Sequence, residues 1–187
     1  MSVTVLKYTR IAIVFHWVIA LLIVSNVVLA LIADALPESW VRTAIDTHKS
    51  IGITVLGLGI MRVLWRAGHT PPPLPAEYPR WQRRSAHGVH TLLYVLILAL
   101  PLSGWMHDSA WKDAVTHPMR LYNLVPWPRI GWITQMEPAT KERMHELYGT
   151  VHTWLAYALY AMVALHVGAA LKHQFYDKHR ELQRIAF

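Results

Sequence analysis

The stretch VHTWLAYALYAMVALHVGAAL, residues 151–171, holds no Asp, Glu, Lys or Arg and two histidines, His152 and His166. Its length matches the roughly 20 apolar residues that a helix needs to cross a bilayer core. A helix rises about 1.5 Å per residue, so the two imidazoles stand roughly 21 Å apart along the axis. The rotation between them falls about 40° short of four full turns, which puts both on one face. A histidine in hydrocarbon is costly without a partner and marks a functional site by default. One spanning helix therefore offers two imidazoles to one side, at two depths.

Three other blocks have the same character. Residues 11–33 are free of charge, residues 50–65 are interrupted only by Arg62, and residues 90–106 are again uncharged. The chain is 54% hydrophobic and 16% charged over 187 residues, too apolar for an ordinary soluble domain. The expectation is an all-α fold: an integral membrane four-helix bundle, one domain over residues 1–187, with spans at about 11–33, 48–66, 88–106 and 149–171. A signal peptide is the competing reading of the first block, because Lys7 and Arg10 precede it and Ala33-Asp34-Ala35 resembles a cleavage site. The apolar run exceeds the 7–15 residues of a signal core, so the segment is expected to remain in the mature protein.

Lys and Arg set the orientation. They cluster at the amino end (Lys7, Arg10), between spans two and three (Arg66, Arg80, Arg83, Arg84 against Glu77) and in the carboxyl tail (Lys172, Lys178, Arg180, Arg184). The other two connections are balanced or acidic. The positive-inside rule then places both termini in the cytoplasm. The net charge of +7 belongs to that face and requires no nucleic-acid partner. Trp40, Trp65, Trp81, Trp105, Trp111, Trp127 and Trp132 lie near block ends, where interfacial aromatics belong.

No cysteine is present, which excludes thiolate-held metals, iron–sulfur clusters, covalent c-type haem and disulfides, whereas histidine occurs 12 times. Topology orders the membrane histidines by depth. His16, one turn into span one, is inner; His48, opening span two, is outer; His152 is outer and His166 inner. Two pairs follow, His16 with His166 and His48 with His152, each drawn from two helices, as suits a planar macrocycle clamped between imidazoles. Those four residues are the candidate haem-iron ligands, and bis-histidine ligation would leave no open axial position. A four-histidine zinc or copper site fits poorly, because it needs all four at one depth. Gly52 and Gly149 are read as small residues that admit a porphyrin to the backbone.

Four more residues are candidate propionate or quinone contacts. His87 and His90 sit three apart at the inner start of span three, either being able to replace or assist one inner ligand. Arg62 needs an anionic partner within span two, such as a propionate or a carboxylate, unless it snorkels. His173 lies seven residues beyond His166 on roughly the same face, either snorkelling to the interface or serving as a proton donor. His69, His107, His117, His145 and His179 are expected in loops or tails, solvated. Thr70-Pro71-Pro72-Pro73-Leu74-Pro75 cannot be helical and reads as a rigid strap over the cytoplasmic surface. The long third connection, residues 108–148, is expected to fold irregularly over the outer helix ends, with a helix starting near Thr140 as its cap.

With these residues in place, the chain resembles the bacterial cytochrome b561 family, which is related to the cytochrome b subunits of nickel hydrogenases and formate dehydrogenases. The resemblance spans essentially the whole chain. It rests on Phe15-His16-Trp17, His48-Lys49-Ser50-Ile51-Gly52, Arg62-Val63-Leu64-Trp65-Arg66 with Thr70-Pro71-Pro72, Ala86-His87-Gly88-Val89-His90, Pro101-Leu102-Ser103-Gly104-Trp105 and the paired histidines of span four. It implies two haem b groups with the same ligand pairing, a multi-pass protein of the bacterial inner membrane, and electron exchange with ubiquinone near the cytoplasmic face. It also implies a periplasmic one-electron donor, which is superoxide in the family's superoxide-oxidising members. Such a protein would be an oxidoreductase of the superoxide:quinone type; the alternative is an electron-transfer subunit serving a separate periplasmic redox partner.

Overall fold

The computed structural model describes residues 6–74 and 78–187. Pro75, the last residue of the expected strap, and Glu77 lie outside the described residues. Four long helices dominate: α1 (Arg10–Ile32), α2 (Glu38–Gly68), α3 (Arg80–Ser109) and α5 (Pro138–Leu171), with the short helices α4 (Gly131–Thr134) and α6 (Glu181–Arg184) outside them. All four long helices are long and apolar enough to cross a membrane. α1 coincides with its apolar block, whereas α2, α3 and α5 begin well before theirs, because more polar, helix-compatible sequence precedes the hydrocarbon-length run.

Packing follows chain order. The first helix lies on the second, the second on the third, and the third on α5. Ile19 of α1 meets Ile51 and Val55 of α2 in a buried cluster flanked by Phe15, Leu22, Ile23 and Leu58. The opposite faces stay apolar and exposed: Leu21 and Leu31 are each 68% exposed, Leu64 is 67% and Trp154 is 69%. Burying them needs lipid, since water would charge about 25 cal/mol for every Å² of apolar surface left open.

The start of α1 and the carboxyl tail meet at one end of the bundle, called here the inner end. Trp17 donates its indole N–H to the Ile185 carbonyl at 2.9 Å, and the Tyr8 amide donates to the Arg184 carbonyl at 3.0 Å. The proline strap joins them. Arg184, only 7% exposed, donates to the Pro72 and Pro73 carbonyls at 2.9 and 2.8 Å. Two prolines cannot donate backbone hydrogen bonds but keep their carbonyls, so the strap serves as an acceptor for the tail.

At the far end, the third connection is more ordered than expected. It contains a two-stranded ribbon, β1 (Arg120–Leu121) with β2 (Val125–Pro126). Its turn holds Tyr122 and Asn123 at φ 51° and 59°, a left-handed pair that Asn tolerates and Tyr does not. The Tyr122 amide donates to Ser50 Oγ at 2.9 Å, and its hydroxyl pairs with Thr54 Oγ1 at 2.8 Å, pinning the strained residue on α2. The cap of α5 differs from expectation. Glu137, not Thr140, closes the helix: its carboxylate accepts from the Ala139 and Thr140 amides, each at 3.0 Å. Pro138 at the first helical position starts the helix three residues earlier than a Thr140 cap would and leaves Thr140 inside the first turn. Those amides hold the Glu137 carboxyl below the usual carboxylate range.

Candidate functional site

The four histidines singled out on depth fall into the two expected pairs. His48 of α2 faces His152 of α5 with ring centroids 6.2 Å apart, and His16 of α1 faces His166 of α5, also at 6.2 Å. Two imidazoles on opposite sides of one metal, each with its nitrogen about 2.0–2.1 Å from the ion, place their ring centres roughly 6.2–6.4 Å apart. Neither pair is close enough for a direct hydrogen bond between well-placed rings, yet both are half-buried in apolar helices. The spacing fits a group held between them.

Their nitrogens are not left to chance. His48 Nδ1 lies 3.2 Å from the Asn26 carbonyl of α1. His152 Nδ1 lies 3.1 Å from the Leu100 carbonyl and 3.1 Å from Ser103 Oγ, both on α3. A carbonyl only accepts, so each Nδ1 carries the proton and each Nε2 keeps its lone pair for a metal. Gly104 makes the approach possible. A Cβ there would stand 3.0 Å from Cε1 of His152 and 3.3 Å from its Nδ1, so any larger residue displaces the ring. Asn26 Oδ1 is buried in the same region without a hydrogen-bond partner among the described residues. These features fit a bis-histidine haem.

The inner pair is built differently. Arg62 reaches His16 Nδ1 with its Nη2 at 3.3 Å and Tyr94 Oη with its Nε at 3.3 Å, while lying 5.4 Å over the Tyr94 ring. Arg66 lies 5.7 Å over the same ring. Both contacts of Arg62 are long, and no carboxylate pairs with it among the described residues. Its half-buried guanidinium is short of an anion. His90 joins this cluster with its ring 5.4 Å from His166, nearer than the 6.2 Å that the other two pairs share. His87, one turn earlier, is exposed and takes no part in the ring contacts among the described residues.

His173 sits at the inner surface in a π-turn, Lys172–Tyr176. Its Nδ1 lies 2.6 Å from Asp177 Oδ2, and its ring stacks on Tyr78 at 4.9 Å. Hydrogen bonds from Lys172 and His173 hold the Asp177 carboxyl below its usual range. Burial and the 2.8 Å hydrogen bond to Glu181 raise the Tyr78 phenol. His173 thus joins the Asp177 carboxylate and the Tyr78 phenol at the inner end of the bundle.

Two histidines expected as solvated loop residues are neither. His107 ends α3 and stacks on His145 of α5, centroids 3.9 Å apart and planes 15° from parallel. Each donates Nδ1–H to the other's backbone carbonyl, at 2.9 and 3.0 Å. Gly149 serves this pair: a Cβ there would lie 2.9 Å from Cε1 of His107. The glycine expected to admit a porphyrin therefore admits an imidazole, while Gly52 makes only ordinary contacts with Asn26 and Pro101. His69 and His117 remain exposed, and His179 packs edge-on against Tyr78. Ser103, Gly104, Leu100 and Asn26 were not expected at the site from sequence, because their roles depend on contacts between helices.

Beside His48 the far end carries charge. Asp108, 5% exposed, receives Lys49 Nζ at 2.7 Å and Arg129 Nε at 2.8 Å. A cavity of about 300 Å³ opens next to them, lined by Arg42, Asp46, Lys49, His117 and Arg129.

The profile of the family described as prokaryotic cytochrome b561 matches residues 7–187. Cytochrome b561 homolog 2 of Escherichia coli (strain K12) is 32% identical over 185 residues, covering 96% of this chain and 90% of the relative. Cytochrome b561 homolog 1 of the same organism is 24% identical, covering 96% of each. A probable superoxide oxidase, CybB, of Yersinia pestis is 26% identical, covering 96% of this chain and 95% of the relative.

Proposed function

This chain belongs to the prokaryotic cytochrome b561 family of membrane electron-transfer proteins, and on that basis we propose that it passes electrons between a periplasmic one-electron donor and ubiquinone near the cytoplasmic face of a bacterial inner membrane. His48 and His152 hold one haem b in this reading, and His16 and His166 hold the other. The observation that carries it is the repeated 6.2 Å separation of two imidazole pairs drawn from different helices. Bound there, haem supplies reversible one-electron chemistry.

The chain's own side chains do the rest. Asn26, Leu100 and Ser103 keep Nδ1 protonated on the outer rings and leave Nε2 free to ligate. Arg62, short of an anion and beside His16, is placed to take a propionate, with Tyr94 and Arg66 behind it. His90 is the third imidazole of that cluster; its closer spacing to His166 favours a contact role over ligation. His87, exposed one turn earlier, remains a candidate quinone or propionate contact only at the cluster's edge. His173, held by Asp177 at 2.6 Å, serves as the proton donor for a quinone at the inner end in this reading. Excess Lys and Arg at the end where the start of α1 and the carboxyl tail meet supports a cytoplasmic location for that end.

An anionic donor such as superoxide suits the outer cavity, where Arg42, Lys49 and Arg129 outnumber Asp46 even after Asp108 is counted. A second reading, a subunit serving a separate periplasmic redox protein, is favoured by apolar side chains at the same end. Val115 is 77% exposed, Leu124 75% and Trp132 60%. Spectra of the purified protein with superoxide, and then with a quinol, as reductant separate the two. Reduction by superoxide with onward transfer to quinone supports the enzyme. Reduction by quinol alone supports the partner-fed subunit, and failure of both reductants overturns the proposal.

A further inference from the structure

The geometry points to Ser103 as a positioning residue of the outer haem site, acting through His152; this rests on the ligation proposed above. Ser103 is buried, 6% exposed, on the face of α3 that meets α5. Its hydroxyl hydrogen goes to the Leu100 carbonyl at 2.7 Å. With that hydrogen committed, the oxygen can only accept from His152 Nδ1, 3.1 Å away. The Leu100 carbonyl accepts from the same nitrogen at 3.1 Å. His152 therefore gives one N–H to two acceptors that are themselves locked together, and Gly104 leaves the ring just enough room.

None of the other three ligand candidates is held in this way. His48 has a single carbonyl, His16 faces the guanidinium of Arg62, and His166 has no hydrogen-bond partner among the described residues. A ligand histidine whose second nitrogen donates to good acceptors is a stronger base toward its metal and favours the oxidised ion. Ser103 thus fixes the tautomer and ring direction of His152 and holds the outer haem at a lower potential than it would otherwise have. With haem held at both pairs, a lower outer potential would favour transfer toward the inner pair, near which Arg62 and Arg66 lie over the Tyr94 ring.

Redox titration with resolved spectra, on protein in lipid nanodiscs, tests this with Ser103→Ala, Ser103→Thr, Gly104→Ala and His152→Ala. Ser103→Ala is expected to keep the full haem content while one of the two components shifts to higher potential and the other stays. Ser103→Thr restores the wild-type curve, because a helical threonine hydroxyl also bonds back to the preceding turn. Gly104→Ala is expected to lose about half of the bound haem. The role is overturned if both components of Ser103→Ala overlay the wild type, or if Thr and Ala shift alike. His152→Ala isolates the premise: loss of one component supports ligation, whereas retention of both overturns the ligation reading and the role of Ser103 with it.

Discussion

Asp108→Asn removes the carboxylate that Lys49 and Arg129 share while keeping its shape. The carboxylate is 5% exposed, with the two cations at 2.7 and 2.8 Å. Removing one partner of a buried ion pair costs about 3–5 kcal/mol, mostly for the charge left behind. Here the survivors are partly compensated. Lys49 is 22% exposed and keeps Asp46 at 3.7 Å, and Arg129 still donates to the Ala114 and His117 carbonyls. The low end, about 3 kcal/mol, is therefore expected. For a chain of this size that lowers the melting temperature by roughly 6–12 °C. Tryptophan fluorescence during thermal unfolding in detergent reads it, because Trp105, Trp111 and Trp127 sit around the network. Adding Lys49→Met to Asp108→Asn should recover part of the loss, since one unpaired charge goes with it. A shift of less than about 2 °C for Asp108→Asn would show that the network is solvated and does not fasten the third connection.

Gly149→Ala sets two effects against each other. Helix propensity alone favours alanine by about 1 kcal/mol, but the new Cβ would meet His107 at 2.9 Å while that ring is pinned by its stack and its bond to His145. Overpacking of about 1–3 kcal/mol should win, and a variant more stable than wild type in chemical denaturation would contradict the stacked pair. The inner tail should respond to both pH extremes. Lys172 and His173 depress the Asp177 carboxyl, so its contribution is present above the unfolded value near 4 and is lost as pH falls through the lower folded value. Burial and Glu181 raise the Tyr78 phenol, so its contribution is complete below about pH 10 and is lost as pH rises through the higher folded value. Trypsin cleavage after Arg180 and Arg184 should therefore be slow between these limits and faster beyond each, with Tyr78→Phe removing the alkaline change. Equal cleavage at every pH, after correction for trypsin's own profile, would detach both groups from the docking of the tail.

The helices were legible because an uncharged run of membrane length is seldom anything but a spanning segment, and the pairing of His16, His48, His152 and His166 followed from depth alone. His145 could have been found the same way. It lies seven residues before His152 and shares its face, as His173 does after His166. Reading residue 145 as part of a solvated connection hid it, since α5 starts at Pro138, well outside the apolar run. Ser103 and Gly104 were visible as a motif but not as a cradle, because nothing along α3 says which imidazole from α5 arrives opposite them. The role of Gly149 was misassigned for the same reason. A small residue announces a close approach, and only the packed partner says what approaches. Asp108 looked like one of many charges in a balanced connection until the fold placed it between Lys49 and Arg129.

The most direct test of the central claim is haem per chain, with spectra of each component, in the purified protein and in the four single alanine variants of His16, His48, His152 and His166. Two b-type haems in the wild type are expected. His48→Ala and His152→Ala should lose one and the same component, and His16→Ala and His166→Ala the other. A single haem, a colourless protein, or losses that group the histidines in any other way would contradict the account.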